Sequence, residues 1–352
     1  MHMLAVLLVA AVTGLPIGSY VADATGVVRI AGEVCDAMWL DNNTVLVISE
    51  DGELYRCAAT GQQKVRLTEA GKYRLHALLG VSPGGGYVAA ASTSRSRAGA
   101  SASDTIHFVN TRTGRVAWRQ TRPQTAQLES YGWVVWKHGS EQDAIVCWPP
   151  AKILDPERGS IQGFMPAYRL HLATGTSTSL ALLRGTLWAP VRWGEAGLAV
   201  AAGAGGFTEL LVALDGGPVR VLPPLRVQYM SPTGHQLGEW DGKAVVVYLD
   251  EARTTFRLTM EDGQGNVLAE QQFAVYQDRF PDFQLNDDGS VTVIAVDDDP
   301  AAAPEACLLS VHVSRGMVGD VLSSFRAHGL PDAMNDLIPS PAGDRLFIGL
   351  HA

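Results

Sequence analysis

The stretch Ser82-Pro83-Gly84-Gly85-Gly86 runs directly into the apolar segment Tyr87-Val88-Ala89-Ala90-Ala91, and the pairing recurs. Ser231-Pro232-Thr233-Gly234 stands ahead of Ala244-Val245-Val246-Val247-Tyr248, and Ser340-Pro341-Ala342-Gly343 ahead of Leu346-Phe347-Ile348. A turn that returns beside a strand-like run is the mark of a repeat architecture. Variants fill in the series at Asp41-Asn42-Asn43, His138-Gly139-Ser140, Gly194-Glu195-Ala196 and Asn286-Asp287-Asp288-Gly289, which makes seven. The runs that follow are apolar at every residue rather than at alternate ones, the pattern of a strand covered on both faces.

A second kind of turn alternates with the first. Gly follows a strand-like run at Thr25-Gly26, Thr60-Gly61, Thr113-Gly114, Thr174-Gly175, Asp215-Gly216, Asp262-Gly263 and Arg315-Gly316, again seven times. Thr-Gly and Asp-Gly suit hairpins because Gly accepts a positive φ without a steric penalty. Two hairpins per unit give four strands, here called a to d, with the first turn joining a to b and the second c to d. Seven units over 352 residues average about 50 residues, close to a propeller blade. The sequence therefore predicts an all-β chain: a seven-bladed β-propeller of four-stranded antiparallel blades.

The Ser-Pro-x-Gly and x-Thr-Gly-x turns resemble those of the broad superfamily of WD40-like and TolB-like β-propellers, over nearly the whole chain from Gly18. That resemblance implies a fold and no particular activity. The phase of the repeat adds a closure. The chain opens on a c–d hairpin, Tyr20 to Ile30, and ends on an a–b hairpin, Asp336 to Leu350, so the two ends are expected to complete one blade. Residues 18–352 are then one domain. Residues 1–17 form an apolar N-terminal segment without Lys or Arg. The run is short for a membrane helix, and it reads either as an export signal, which would favour an extracytoplasmic location, or as an extra strand. No integral membrane span is expected.

The net charge of −9 excludes a basic footprint for nucleic acid. The cysteines at 35, 57, 147 and 307 include no C-x-x-C pair, and the blade register separates them, so four free thiols are expected. There is no P-loop or H-E-x-x-H, and neither a cofactor nor a resident metal is expected. The triplet Asp297-Asp298-Asp299 lacks the alternation of a calcium loop.

Function is expected on the end of the ring that carries the d–a and b–c connections, because these are long and irregular while the a–b and c–d turns are short. Arg95 and Arg97 of blade 2, with Trp148, Lys152 and Arg158 of the long blade 3 loop, make a cationic rim there. His76, Trp188, Arg192, Asp282 and Asp336 stand near the starts of a strands, at the channel mouth. Aromatic, acidic and basic groups at a concave mouth suit another protein or a small polar ligand. The leading expectation is thus a non-catalytic scaffold that binds at this end. The alternatives are an extracytoplasmic carbohydrate-active lyase or hydrolase using acids and His of the mouth, and a structural subunit of an envelope assembly.

Overall fold

The computed structural model describes residues 7–11, 15–23, 25–94, 103–122, 132–137, 139–148, 154–155, 160–161, 163–164, 166–180, 184–185, 188–194, 197–202, 208–212, 220–221, 235–250, 255–274, 281–286, 288–299, 302–303, 308–331 and 336–351. For residues 7–11, 94, 103, 154–155, 160–161, 163–164, 184–221, 235–236, 238–239, 249 and 274 it describes the backbone alone. Every regular element among these residues is a strand, and the chain is a β-propeller.

Blade 1 consists of Val34–Asp41, Thr44–Ser49, Leu54–Ala58 and Lys64–Arg66. Blade 2 consists of Leu75–Val81, Tyr87–Ser94, Ser103–Asn110 and Val116–Thr121. Trp133–Trp136, Asp143–Cys147, Ala167–His171 and Thr176–Leu180 form blade 3. Trp188–Gly194, Gly197–Ala202, Thr208–Val212 and Arg220–Val221 form blade 4. Blade 5 is His235–Trp240, Lys243–Leu249, Thr255–Glu261 and Val267–Ala274. Blade 6 is Asp282–Leu285, Val291–Asp298, Leu308–Met317 and Asp320–Pro331. In blade 7, strands a and b are Asp336–Pro339 and Leu346–Leu350, while c and d are Gly18–Asp23 and Gly26–Ala31. A blade count of seven fits this set of sheets.

The two chain ends meet as the phase of the repeat requires. Gly18 pairs with Leu350, Tyr20 with Ile348 and Ala22 with Leu346, antiparallel. Strand alternation then feeds two interfaces at once. Tyr20, Ala22, Leu346, Ile348 and Leu350 pack toward blade 6, and Val21 and Phe347 pack toward blade 1. In blade 1, Val45 and Val47 face blade 7 while Leu46 and Ile48 face blade 2. This is why the b strands carry no polar alternation: each residue faces a neighbouring blade, whichever side it is on.

The repeated turn has one geometry at both of its described Ser-Pro copies. Gly85 N–H donates to Ser82 C=O and Gly343 N–H to Ser340 C=O, each at 2.8 Å. The serine hydroxyl oxygen accepts from the amide five residues on, Tyr87 or Arg345. The turn also joins blades: the Glu141 carboxylate of blade 3 accepts from the Ser82 hydroxyl at 2.7 Å and from Gly86 N–H at 2.9 Å. The Thr-Gly turn serves the same purpose from the other hairpin. At Gly114, where φ is +71°, an added Cβ would lie 2.0 Å from the Leu67 carbonyl oxygen of the preceding blade.

Two expected turns are placed differently. The a–b turn of blade 5 is Asp241-Gly242, between His235–Trp240 and Lys243–Leu249, and not Pro232-Thr233-Gly234, which precedes strand a and lies outside the described residues. Its strand a, His-Gln-Leu-Gly-Glu-Trp, is too polar to stand out as apolar. The c–d turn of blade 6 is Val318-Gly319, while Arg315 and Gly316 belong to strand c at a register shift. The N-terminal segment contributes a strand, Leu7–Ala11, as the fifth member of blade 6.

Candidate functional site

The a strands of blades 1 and 2, 2 and 3, 3 and 4, and 5 and 6 lie beside one another, so strand a is the inner strand. Where these strands begin, at blades 7, 1 and 2, acidic side chains gather. Blade 7 gives Asp336, blade 1 gives Glu33 and Asp36, and Glu50 follows its strand b. His351, just past strand b of blade 7, bridges the two blades: Nε2 lies 3.0 Å from Asp336 Oδ2 and Nδ1 3.5 Å from Glu33 Oε1. Asp336, Glu33 and His351 are all partly exposed.

Asp36 is the inner member. Its Oδ2 accepts Leu78 N–H of blade 2 at 2.6 Å, and its Oδ1 accepts Ala37 N–H at 2.8 Å. Strand a of blade 2 shifts register between Leu75 and Ala77, and the carboxylate meets an amide just beyond that irregularity. Burial raises the Asp36 pKa above the usual carboxylate range, opposed by these two amides; the negative charge of Asp336 pushes in the same direction as burial. His76 is half-buried, and loss of hydration depresses its pKa although Asp104 and Asp36 favour the imidazolium. The exposed Cys35 thiol is pushed up by partial burial and then by Glu50, Asp36 and Glu33. A raised thiol pKa makes a poor nucleophile, so Cys35 reports an acidic field instead of supplying chemistry. The buried thiols Cys57 and Cys147 are pushed up further, to about 11 and about 12.

Of the residues expected to line this end, His76 and Asp336 lie in or beside the acidic arc. Asp282 opens strand a of blade 6 and is exposed. Trp188 and Arg192 lie on strand a of blade 4, where only the backbone is described. Arg95, Arg97, Lys152 and Arg158 lie outside the described residues. Trp148 is misplaced by the rim reading. Its backbone N–H still pairs with Pro166 C=O, which prolongs the b–c ladder by one step, and its indole is fully buried between blades 2 and 3. Asp299, the last of the aspartate triplet, is also buried: it accepts Gly329 N–H at 2.6 Å and contacts His328 Nδ1 at 3.1 Å, while Asp297 and Asp298 are exposed. Among the described residues, no group of three or more His, Cys, Asp or Glu is placed to hold a metal ion. Nor is any helix among them long and apolar enough to cross a membrane.

Sequence reasoning missed Glu33, Glu50 and His351. His351 acquires its meaning only through ring closure, which sets residue 351 beside residue 33. The one available signal was the phase of the repeat at the two chain ends.

The chain matches no protein-family model and no curated protein. Among solved structures it is similar to a Pyrococcus horikoshii acylaminoacyl peptidase, at 10% identity and TM-score 0.49, over 84% of this chain and 46% of that one. It spans about half the length of that peptidase. It is also similar to the β-propeller domain of the Trilobed protease from Pyrococcus furiosus (11% identity, TM-score 0.45, 80% and 79% covered). A third is the WD40 domain of SCAP from fission yeast (9% identity, TM-score 0.45, 90% and 92% covered).

Proposed function

We propose that this propeller is a binding module that engages a cationic partner, a basic segment of another protein in the first place, at the channel mouth of blades 7, 1 and 2. The observation that carries the reading is the arc of Glu33, Asp36, Glu50 and Asp336 on one end of the ring, bridged across the seam by His351. The Asp336 charge repels that of Asp36, and a bound cation relieves such repulsion. Three carboxylates of the arc act together on the Cys35 thiol, which marks a field rather than isolated solvated acids. The chain's net charge of −9 adds long-range attraction for a basic partner.

A catalytic reading draws on Asp36, with its raised pKa, next to a His76 whose pKa is lowered. Such divergence suits an acid–base pair. Both Asp36 oxygens, however, already accept backbone amides, Ala37 within blade 1 and Leu78 across the boundary to blade 2, which favours a bolt over a proton shuttle.

The test is titration of Lys- and Arg-rich peptides and of small diamines into the wild-type protein and the Glu33→Gln/Asp336→Asn variant, at low and physiological salt. Each lost pair is worth about 0.2–1 kcal/mol, so the double change is expected to weaken binding roughly two- to thirtyfold. Wild-type binding should also fall with salt. Absence of binding by every peptide and amine, or equal binding by the variant, would discard the proposal. Turnover of a glycan that is lost in Asp36→Asn would transfer the site to the catalytic reading.

A further inference from the structure

We infer that residues 7–11 are a permanent fifth strand of blade 6, kept in the folded protein, and that the outer edge of Asp320–Pro331 is a strand-accepting surface whose occupant is this segment of the chain. Leu7–Ala11 pairs in parallel with strand d of blade 6, from Leu7 opposite Ser324 to Ala11 opposite His328. Strand d is 12 residues long, and its other edge is taken by Leu308–Met317. Without the added strand, the backbone groups of residues 324–328 would line a long open edge, the kind of edge that recruits foreign strands.

The segment is tied down on both sides of the seam. It lies beside strands c and d of blade 7 as well as against blade 6. The chain leading onward from it is anchored too. Leu15 packs on the core between blades 6 and 7. Pro16 C=O accepts the Tyr20 hydroxyl at 2.5 Å, and Ile17 C=O accepts Arg29 Nη2 at 3.2 Å. The N-terminal end therefore makes two closures in succession, one parallel onto blade 6 and one antiparallel inside blade 7. These anchors hold the segment to the folded chain on both sides of the seam.

Hydrogen exchange of the full-length protein, of a deletion of residues 2–13 and of the Leu8→Pro/Val9→Pro variant tests the edge directly. Of two successive amides in an edge strand only one faces the partner, so the double proline removes it whichever one it is. The amides among residues 324–328 that face Leu7–Ala11 are expected to exchange at least tenfold faster in both variants, and a synthetic peptide of residues 2–14 is expected to restore protection to the deletion. The intact mass of the protein from its native source should include residues 7–11. Unchanged exchange in the double-proline variant, or a native chain that begins after Ala11, would overturn the inference.

Discussion

His107 shows what burial does to one titratable side chain. Its Nε2 sits 2.8 Å from the Ser92 hydroxyl, the Tyr73 ring lies 5.0 Å away, and the residue is only 5% exposed. Burial first, and the positive charge of Arg119 second, depress its pKa from 6.5 to about 4. A depressed pKa contributes stability above the unfolded value near 6.5, and this is lost as pH falls toward 4. At 1.36 kcal/mol per pH unit the loss approaches about 3 kcal/mol by pH 4. His76 and His312 shift in the same direction. Urea midpoints measured from pH 7.5 to 4 should therefore fall for the wild type and fall less steeply for His107→Gln. Equal slopes would show that the imidazole is not held neutral by its surroundings. Trp148 teaches the complementary lesson: an aromatic residue at the start of a loop reads as rim, but one further ladder bond turns its side chain into the core.

At the scale of the elements, the turns have two tasks: they reverse the chain, and they let neighbouring blades approach. Gly114 and Gly139 separate these tasks, because both have φ +71° but only Gly114 faces the backbone of another blade. An added Cβ at Gly114 would strike the Leu67 oxygen, whereas at Gly139 it would meet no atom within 4 Å. Gly139→Ala should cost about 1–2 kcal/mol from the left-handed backbone alone. Gly114→Ala should cost about 1–3 kcal/mol more, the usual penalty of overpacking. Chemical denaturation of the two variants gives the difference directly, and equal losses would mean that the blades yield at that contact. The same duality explains how far the elements could be read from the sequence. The Ser-Pro-x-Gly and Thr-Gly turns stand out because close approach restricts them to a few residue types. Asp241-Gly242 followed a strand too polar to attract notice, and Gly316 was taken for a turn although it sits in a strand beside a register shift. Of the site, His76 and Asp336 were legible as strand a positions, because the turns fix the register. Their grouping with Glu33, Glu50 and His351 was not, because it depends on which blades become neighbours at the seam.

The whole molecule stands or falls at that seam, since blade 7 is shared between residues 18–31 and residues 336–350. Removing residues 2–31 would uncover Leu346, Phe347, Ile348 and Leu350, which are at most 6% exposed. At about 1.5–3 kcal/mol for each buried side chain, these four represent at most about 6–12 kcal/mol, a part of which their contacts with blades 6 and 1 retain. That is comparable with the entire stability of an ordinary domain, about 5–15 kcal/mol. The deletion also strips Val21, Ile30 and Ala31 from the cluster that holds Trp39, whose indole N–H donates to Ile338 C=O at 2.8 Å. The truncated chain is therefore expected to lose its cooperative thermal transition, with tryptophan emission shifted to the red. Deletion of residues 2–13 alone leaves the antiparallel closure intact and should preserve a transition at a lower temperature. A cooperative, native-like transition in the longer deletion would mean that the remaining blades close without the N-terminal hairpin, and that the seam at Gly18–Asp23 and Leu346–Leu350 is not what holds the ring together.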